Sequence, residues 1–230
     1  MDNNKAQKAL IAFWLAAGLH MSDQSTGILT QILSWIDPTA RGLTSDEIEL
    51  ARPILGDKID YASVRVFERK TLDTVWHEWL GGNPRAGTAQ HHFIYLHEIK
   101  DSDQQEAAKD GYKGYPNRKL LIHELTHVGQ YQNRISHTGA EKDYSVTIEP
   151  GKPFTAYKLE QQATLTENYY EAWRKVGQLS TYFDTRSVPA DEQAERIARA
   201  CQDAEAIAAA IRPHFPARPH PVCINFQISS

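Results

Sequence analysis

Hydrophobic positions recur at helical spacing along most of this chain and alternate in one short stretch. Near the start, 4–20 and 24–36 read as a helical hairpin, the second helix carrying Leu29, Ile32, Leu33 and Ile36 on one side until Pro38 ends it. Thr44 and Glu47 stand three apart as a capping box, in which hydroxyl and carboxylate each satisfy a backbone N–H at a helix start. The box predicts a short helix through Leu50, stopped near Pro53. Apolar and polar residues alternate over 61–69 (YASVRVFER), which predicts a strand, and a second strand is expected at 92–98 (HFIYLHE).

The second half is helical. After a polar stretch between Lys100 and Asn117, read as an exposed loop, Asn117 caps a helix over 118–134. A loop with Gly151 and Pro153 leads to a long helix over 156–178. The last helix, 190–212, places Ala194, Ile197, Cys201, Ala204, Ala208 and Ile211 on one stripe. Pro213, Pro216, Pro219 and Pro221 follow it as a stiff extended tail. The fold class is therefore α+β, mainly helical, with a small sheet beside two long helices. One domain over 1–230 is expected: a hairpin over 1–40, a core over 42–178, and a helix and Pro-rich tail over 187–230.

Composition narrows the function classes. With 41% hydrophobic and 23% charged residues, the 230-residue chain is neither disordered nor fibrous. A net charge of −4 provides no general attraction for phosphate, which argues against nucleic acid as a partner. The two cysteines, Cys201 and Cys223, are too few for a disulfide framework or a cysteine-rich zinc site. The apolar run 9–19 is too short to span a bilayer and lacks a small-x-small cleavage site, so a buried helix is expected there, not a signal peptide.

Ten histidines stand out, and two of them are organised. Within 120–132, LLIHELTHVGQYQ, His123 and His127 lie four apart and project from one helix face, where they can share a metal ion. Glu124, about 100° further round the helix, reaches a water activated by that metal and not the metal itself. This is the H-E-x-x-H arrangement of zinc peptidases, with Leu121, Leu125 and Val128 as the apolar back of the helix. His77–Glu78 and His97–Glu98 also pair His with Glu, but Gly81 and Asp101 stand where the second ligand would be needed. His91, His92 and His97 are assigned to surface or packing roles.

A catalytic zinc site needs a third protein ligand. Glu160, Glu167 and Glu171 share roughly one face of the 156–178 helix. Glu160 is favoured, because Ala163 one turn on leaves room where two helices cross; Glu167 is the second choice. Tyr157, Tyr144 and His137 are candidate stabilisers of the transition state, unranked by sequence. The strand at 92–98 is expected to border the cleft and pair with an extended substrate.

The stretch from Leu43 to Trp173 resembles a family of zinc metallopeptidases associated with the VgrG spike proteins of bacterial type VI secretion systems, often called Vgr-related. The likeness rests on GLTSDEIELARPILGDKIDYASVRVFERK (42–70), LLIHELTHVGQYQ (120–132) and YSVTIEPGKPFTAYKLEQQATLTENYY (144–170). It implies a zincin-like core and gives Glu160 the third-ligand role with one Zn2+ per chain. It also implies an antibacterial effector made in the cytoplasm of the producer and delivered to a recipient's periplasm. There it would act on peptides or peptidoglycan peptides, with a VgrG-type spike or chaperone and a cognate immunity protein as partners. A second reading is a non-catalytic or structural-zinc adaptor docking onto a spike or chaperone. A third is a housekeeping peptidase exported through 9–19.

Overall fold

A computed structural model of the chain describes residues 40–67, 87–90, 92–96, 118–135, 143–149, 151–184 and 188–228. These residues belong to one unit, Thr39–Ser230. The expected hairpin over 1–40, the 9–19 segment, the 100–117 loop with its Asn117 cap, and the His77–Glu78 and His97–Glu98 pairs lie outside them.

The first described helix, α1 (Ser45–Leu55), opens on Thr44, and both halves of the expected capping box are present. It does not stop near Pro53. Pro53 lacks only its own N–H, and the last turn is held from outside: Ala217 N–H donates to Ile54 O at 3.0 Å and Arg218 N–H to Pro53 O at 2.7 Å. Gly56 then ends the helix at φ 66°, tight against Pro216, where a Cβ would meet the proline ring.

Among the described residues, three strands form a mixed sheet in the order β1-β3-β2. β1 (Arg65–Phe67) runs parallel to β3 (Phe93–Leu96), and β2 (Gly87–Gln90) runs antiparallel to it. Both strands start later than expected: Tyr61–Ser63 forms a 3-10 turn, and His92 lies in a turn before β3. β2, whose Gly-Thr-Ala-Gln carries no alternation, is not visible in the pattern. The order corrects one expectation: β3 is the central strand, buried throughout, so the segment 93–96 cannot pair with a substrate. Among the described residues β2 ends the sheet, and it borders the helix α2 (Arg118–Gln132).

α2 lies between this sheet and α3 (Leu159–Asp184), and α4 (Ala190–Ile211) packs on the far side of α3. Leu121, Ile122, Leu125 and Val128 of α2 are fully buried, each contributing about 1.5–3 kcal/mol of hydrophobic stabilisation. Covered on two sides, α2 buries its polar residues as well: His123, Glu124, Thr126 and Gln130 are all inside. Where α2 crosses α3, the Thr126 and Thr166 hydroxyls meet at 2.5 Å, and Ala163 is fully buried as expected of a close crossing. Gly129 leaves room on α2 for the Phe215 ring, which a Cβ would approach to 3.1 Å.

The expected extended tail is not what forms. Residues 212–215 turn, and 216–220 have no regular secondary structure, with Ala217 at φ 36° and both Phe215 and Ala217 fully buried in the core; a helix, α5 (Pro221–Ile228), then follows. The prolines stiffen a segment whose side chains cover α1. A Cys201–Cys223 disulfide joins α4 to α5, with a Cα–Cα distance of 5.6 Å. Two cysteines are too few for a framework, and this single bond has no signal in the sequence pattern.

Candidate metal centre

α2 turns His123 and His127 to one side, and the first turn of α3 brings Glu160 to meet them. One ligand atom from each of the three lies within 4.8 Å of the other two, a group that could hold a metal ion. Oε2 of Glu160 stands 3.3 Å from Nε2 of His123 and 3.2 Å from Nε2 of His127. Two imidazoles and one carboxylate converging in this way are the donor set that suits Zn2+, leaving a position for water.

Of the acidic stripe of α3, Glu160 and Glu167 turn toward the histidines, while Glu171 is the most exposed. Glu167 approaches the other side of the His123 ring, 2.9 Å from Nδ1, and so is not placed as the third ligand. Nζ of Lys119 holds it from behind at 3.0 Å and reaches Glu171 at 3.1 Å. The sequence signal for Lys119 is its position four residues before His123, on the same face of α2.

The charges are mutually reinforcing. Burial alone would lower the pKa of His123, but hydrogen bonds to Glu160 and Glu167 and the nearby Glu124 charge outweigh it and raise the value to about 10. Burial would raise Glu160, yet the two histidines hold its carboxyl far below the usual range. Glu167, half-buried, is held low by His123 and Lys119 against the opposing effect of burial. The pocket is built to accept positive charge, and a proton on His123 occupies the role that a cation would take.

Glu124 has a different environment. It is buried beside His123, and burial pushes its carboxyl up, opposed by the two histidines. The Ala89 N–H on β2 hydrogen-bonds to its carboxylate, tying the edge strand to this residue.

Of the three candidate stabilisers, Tyr144 lies beside the site, its ring centroid 6.1 Å from that of His123 and its side chain 46% exposed. Tyr157 is buried, and its hydroxyl accepts the Glu149 N–H at 3.0 Å. His137 lies outside the described residues, as do His91 and His97. His92 packs elsewhere: its Nδ1 meets Ser63 Oγ and Gln132 Nε2, both at 3.1 Å. Two buried glutamines, Gln130 and Gln162, also belong to the site and were not foreseen. Nδ1 of His127 lies 2.8 Å from Oε1 of Gln130, and Gln130 Nε2 lies 3.0 Å from Oε1 of Gln162.

No protein-family model matches the chain. Over 151 residues, 61% of this chain, it is 29% identical to the type VI secretion system spike protein VgrG2b of Pseudomonas aeruginosa. The effector domain of P. aeruginosa VgrG2b aligns with 63% of this chain and 82% of that domain, at 25% sequence identity and a TM-score of 0.43. The matched region spans only 14% of the length of the whole spike protein.

Proposed function

We propose that this chain is a zinc-dependent peptidase, delivered as a type VI secretion effector, that hydrolyses amide bonds of peptides or peptidoglycan peptides in a recipient's periplasm. The observation that carries the chemistry is the convergence of His123, His127 and Glu160 within 4.8 Å, with Glu124 buried at the adjoining helix position. The delivery half rests on the similarity to a protein named as a type VI spike, and a VgrG-type spike or chaperone and an immunity protein are its proposed partners.

Nε2 of His123, Nε2 of His127 and the Glu160 carboxylate would hold the ion. Zn2+ so bound supplies a Lewis acid that polarises the scissile carbonyl and brings the pKa of water toward neutrality. Glu124 takes the proton of the attacking water and returns it to the leaving amine. Its carboxyl is buried, and burial raises its pKa, which favours holding the proton for return to the amine. Tyr144, whose ring lies 6.1 Å from that of His123 at the rim of the site, is the proposed donor of a hydrogen bond to the developing oxyanion. Among the described residues no helix is long and apolar enough to cross a membrane.

The test is metal analysis joined to hydrolysis of peptidoglycan peptides and periplasmic proteins. Wild-type chain should bind about one zinc and cleave. Glu124→Gln should keep the zinc and lose the cleavage, while His123→Ala or His127→Ala should lose both. Wild-type chain that takes up no zinc sinks the proposal. Toxicity that survives Glu124→Gln, with spike binding retained, would favour the adaptor reading instead.

A further inference from the structure

Every polar atom around His127 has a forced direction. Gln130 is fully buried and Gln162 nearly so, so both amides must satisfy their donors and acceptors within the protein. Nε2 of Gln162 lies 2.8 Å from the Tyr157 carbonyl, which can only accept; this end must be the NH2 group. The Oε1 of Gln162 therefore faces Gln130. Nε2 of Gln130 lies 3.0 Å from that oxygen and 3.1 Å from the Leu159 carbonyl, so both of its protons are committed. Turning either amide over would place oxygen against carbonyl oxygen. What remains is Oε1 of Gln130, 2.8 Å from Nδ1 of His127, and an amide oxygen can only accept. Nδ1 must then carry the proton.

We propose that Gln130 and Gln162 are positioning residues, a relay that fixes the proton of His127 on Nδ1 and keeps Nε2 free to ligate. The relay starts at two backbone carbonyls, those of Tyr157 and Leu159, which flank the first turn of α3. Glu160 leaves the same turn. One local structure thereby aims the carboxylate ligand and sets the proton of the histidine across from it. The two histidines are supported by unlike means: His123 by a carboxylate held by Lys119, His127 by a chain of neutral amides that adds no net charge. It also gives separate duties to the neighbouring glutamines. Gln161 faces outward, its amide 2.9 Å from Ser145 O and 3.2 Å from Asp143 Oδ2, while Gln162 faces in.

The metal-binding consequence rests on the peptidase reading above; the proton placement does not. The experiment uses the full chain labelled with nitrogen-15 at histidine, once treated with chelator and once loaded with zinc. Wild-type chain should show a ring N–H signal from Nδ1 of His127, slow to exchange in both states because a buried hydrogen bond holds it. Gln162→Met fills the same space without hydrogen bonding and frees the Gln130 amide to turn. It should speed exchange of this proton at least about tenfold and weaken zinc binding by about tenfold or more, the range for partners behind a ligand. If that variant fails to fold, Gln162→Leu, smaller and equally without an acceptor for the Gln130 amide, should move both readouts in the same direction. Gln161→Met, one residue away, should leave the His127 proton slow. Unchanged exchange in a folded Gln162 variant overturns the proposal, as does a wild-type His127 protonated on Nε2 alone in the zinc-loaded chain. A wild-type chain that holds the slow Nδ1 proton but binds no zinc would sink the peptidase reading and leave the relay standing.

Discussion

Glu167 and Glu160, both on α3, take opposite nitrogens of His123: Oε2 of Glu167 lies 2.9 Å from Nδ1 and Oε2 of Glu160 lies 3.3 Å from Nε2. Two glutamates seven residues apart thus have different roles toward one ring. Glu160→Gln should abolish tight zinc binding. Glu167→Gln should weaken it by about 10–100-fold while about one equivalent still binds at saturation. Titration against a chromophoric chelator separates the two, and the reverse ranking would place Glu167 as the ligand.

Tyr144 and Tyr157 make a second contrast. Tyr144 stands against the His123 ring at the exposed rim, whereas the Tyr157 hydroxyl is committed to Glu149 N–H. Tyr144→Phe should lower kcat about 100-fold, the lower end for losing an oxyanion donor, with KM and zinc content little changed. Tyr157→Phe should cost about 1 kcal/mol of stability and leave kcat within a fewfold. Equal kcat values for Tyr144→Phe and wild type would remove Tyr144 from the chemistry.

The legible parts of this site were those that helical periodicity controls. His123 and His127 had to share a face because they are four apart, and Leu121, Leu125 and Val128 marked the opposite side for burial. Glu160 could be favoured over Glu167 because spacing and a small residue, Ala163, constrain a helix crossing. Three features lay beyond that reach. The partners of Gln130 and Gln162 are set by backbone carbonyls of another segment, which no local pattern reveals. β2 carries no alternation, and its place beside Glu124 follows from pairing with β3. Pro53 looked like a stop because the hydrogen bonds that carry α1 past it come from residues 217 and 218, far along the chain.

The disulfide shows the same limit. Cys201 falls on the apolar stripe of α4, and nothing in the pattern links it to Cys223, 22 residues on, because the prolines before α5 predict an extended tail. The bond closes the α4–α5 connection, and Val176 of α3 packs in the same apolar cluster. A closed loop of this size restrains the unfolded chain by about 3 kcal/mol. The Cys201→Ser, Cys223→Ser double variant should therefore lose about 3 kcal/mol in denaturant unfolding, and reductant should destabilise wild type but not the variant. A reductant-insensitive wild type would show that the bond is not formed.

The last prediction concerns acid. Glu47 is nearly fully buried, and Arg41 grips it with two hydrogen bonds, NH1 to Oε2 at 2.8 Å and NH2 to Oε1 at 2.9 Å, while Thr44 N–H donates to Oε2 at 2.7 Å. Burial alone would raise its pKa, but these partners outweigh burial and hold it below its ordinary 4.5. On acidification the unfolded chain therefore takes up this proton before the folded chain does. The contribution is fully present above about pH 4.5 and is lost as pH falls through the depressed folded value. Glu47→Gln should cost on the order of 1–3 kcal/mol at neutral pH, because it weakens the cap and leaves Arg41 without its carboxylate. Its deficit should shrink as pH falls below 4.5, since the wild-type carboxyl becomes neutral as well. Denaturant midpoints measured from pH 7 down to about 3 give this difference directly. A deficit that stays constant across the range would mean that Glu47 titrates alike in both states and that Arg41 contributes no more than packing.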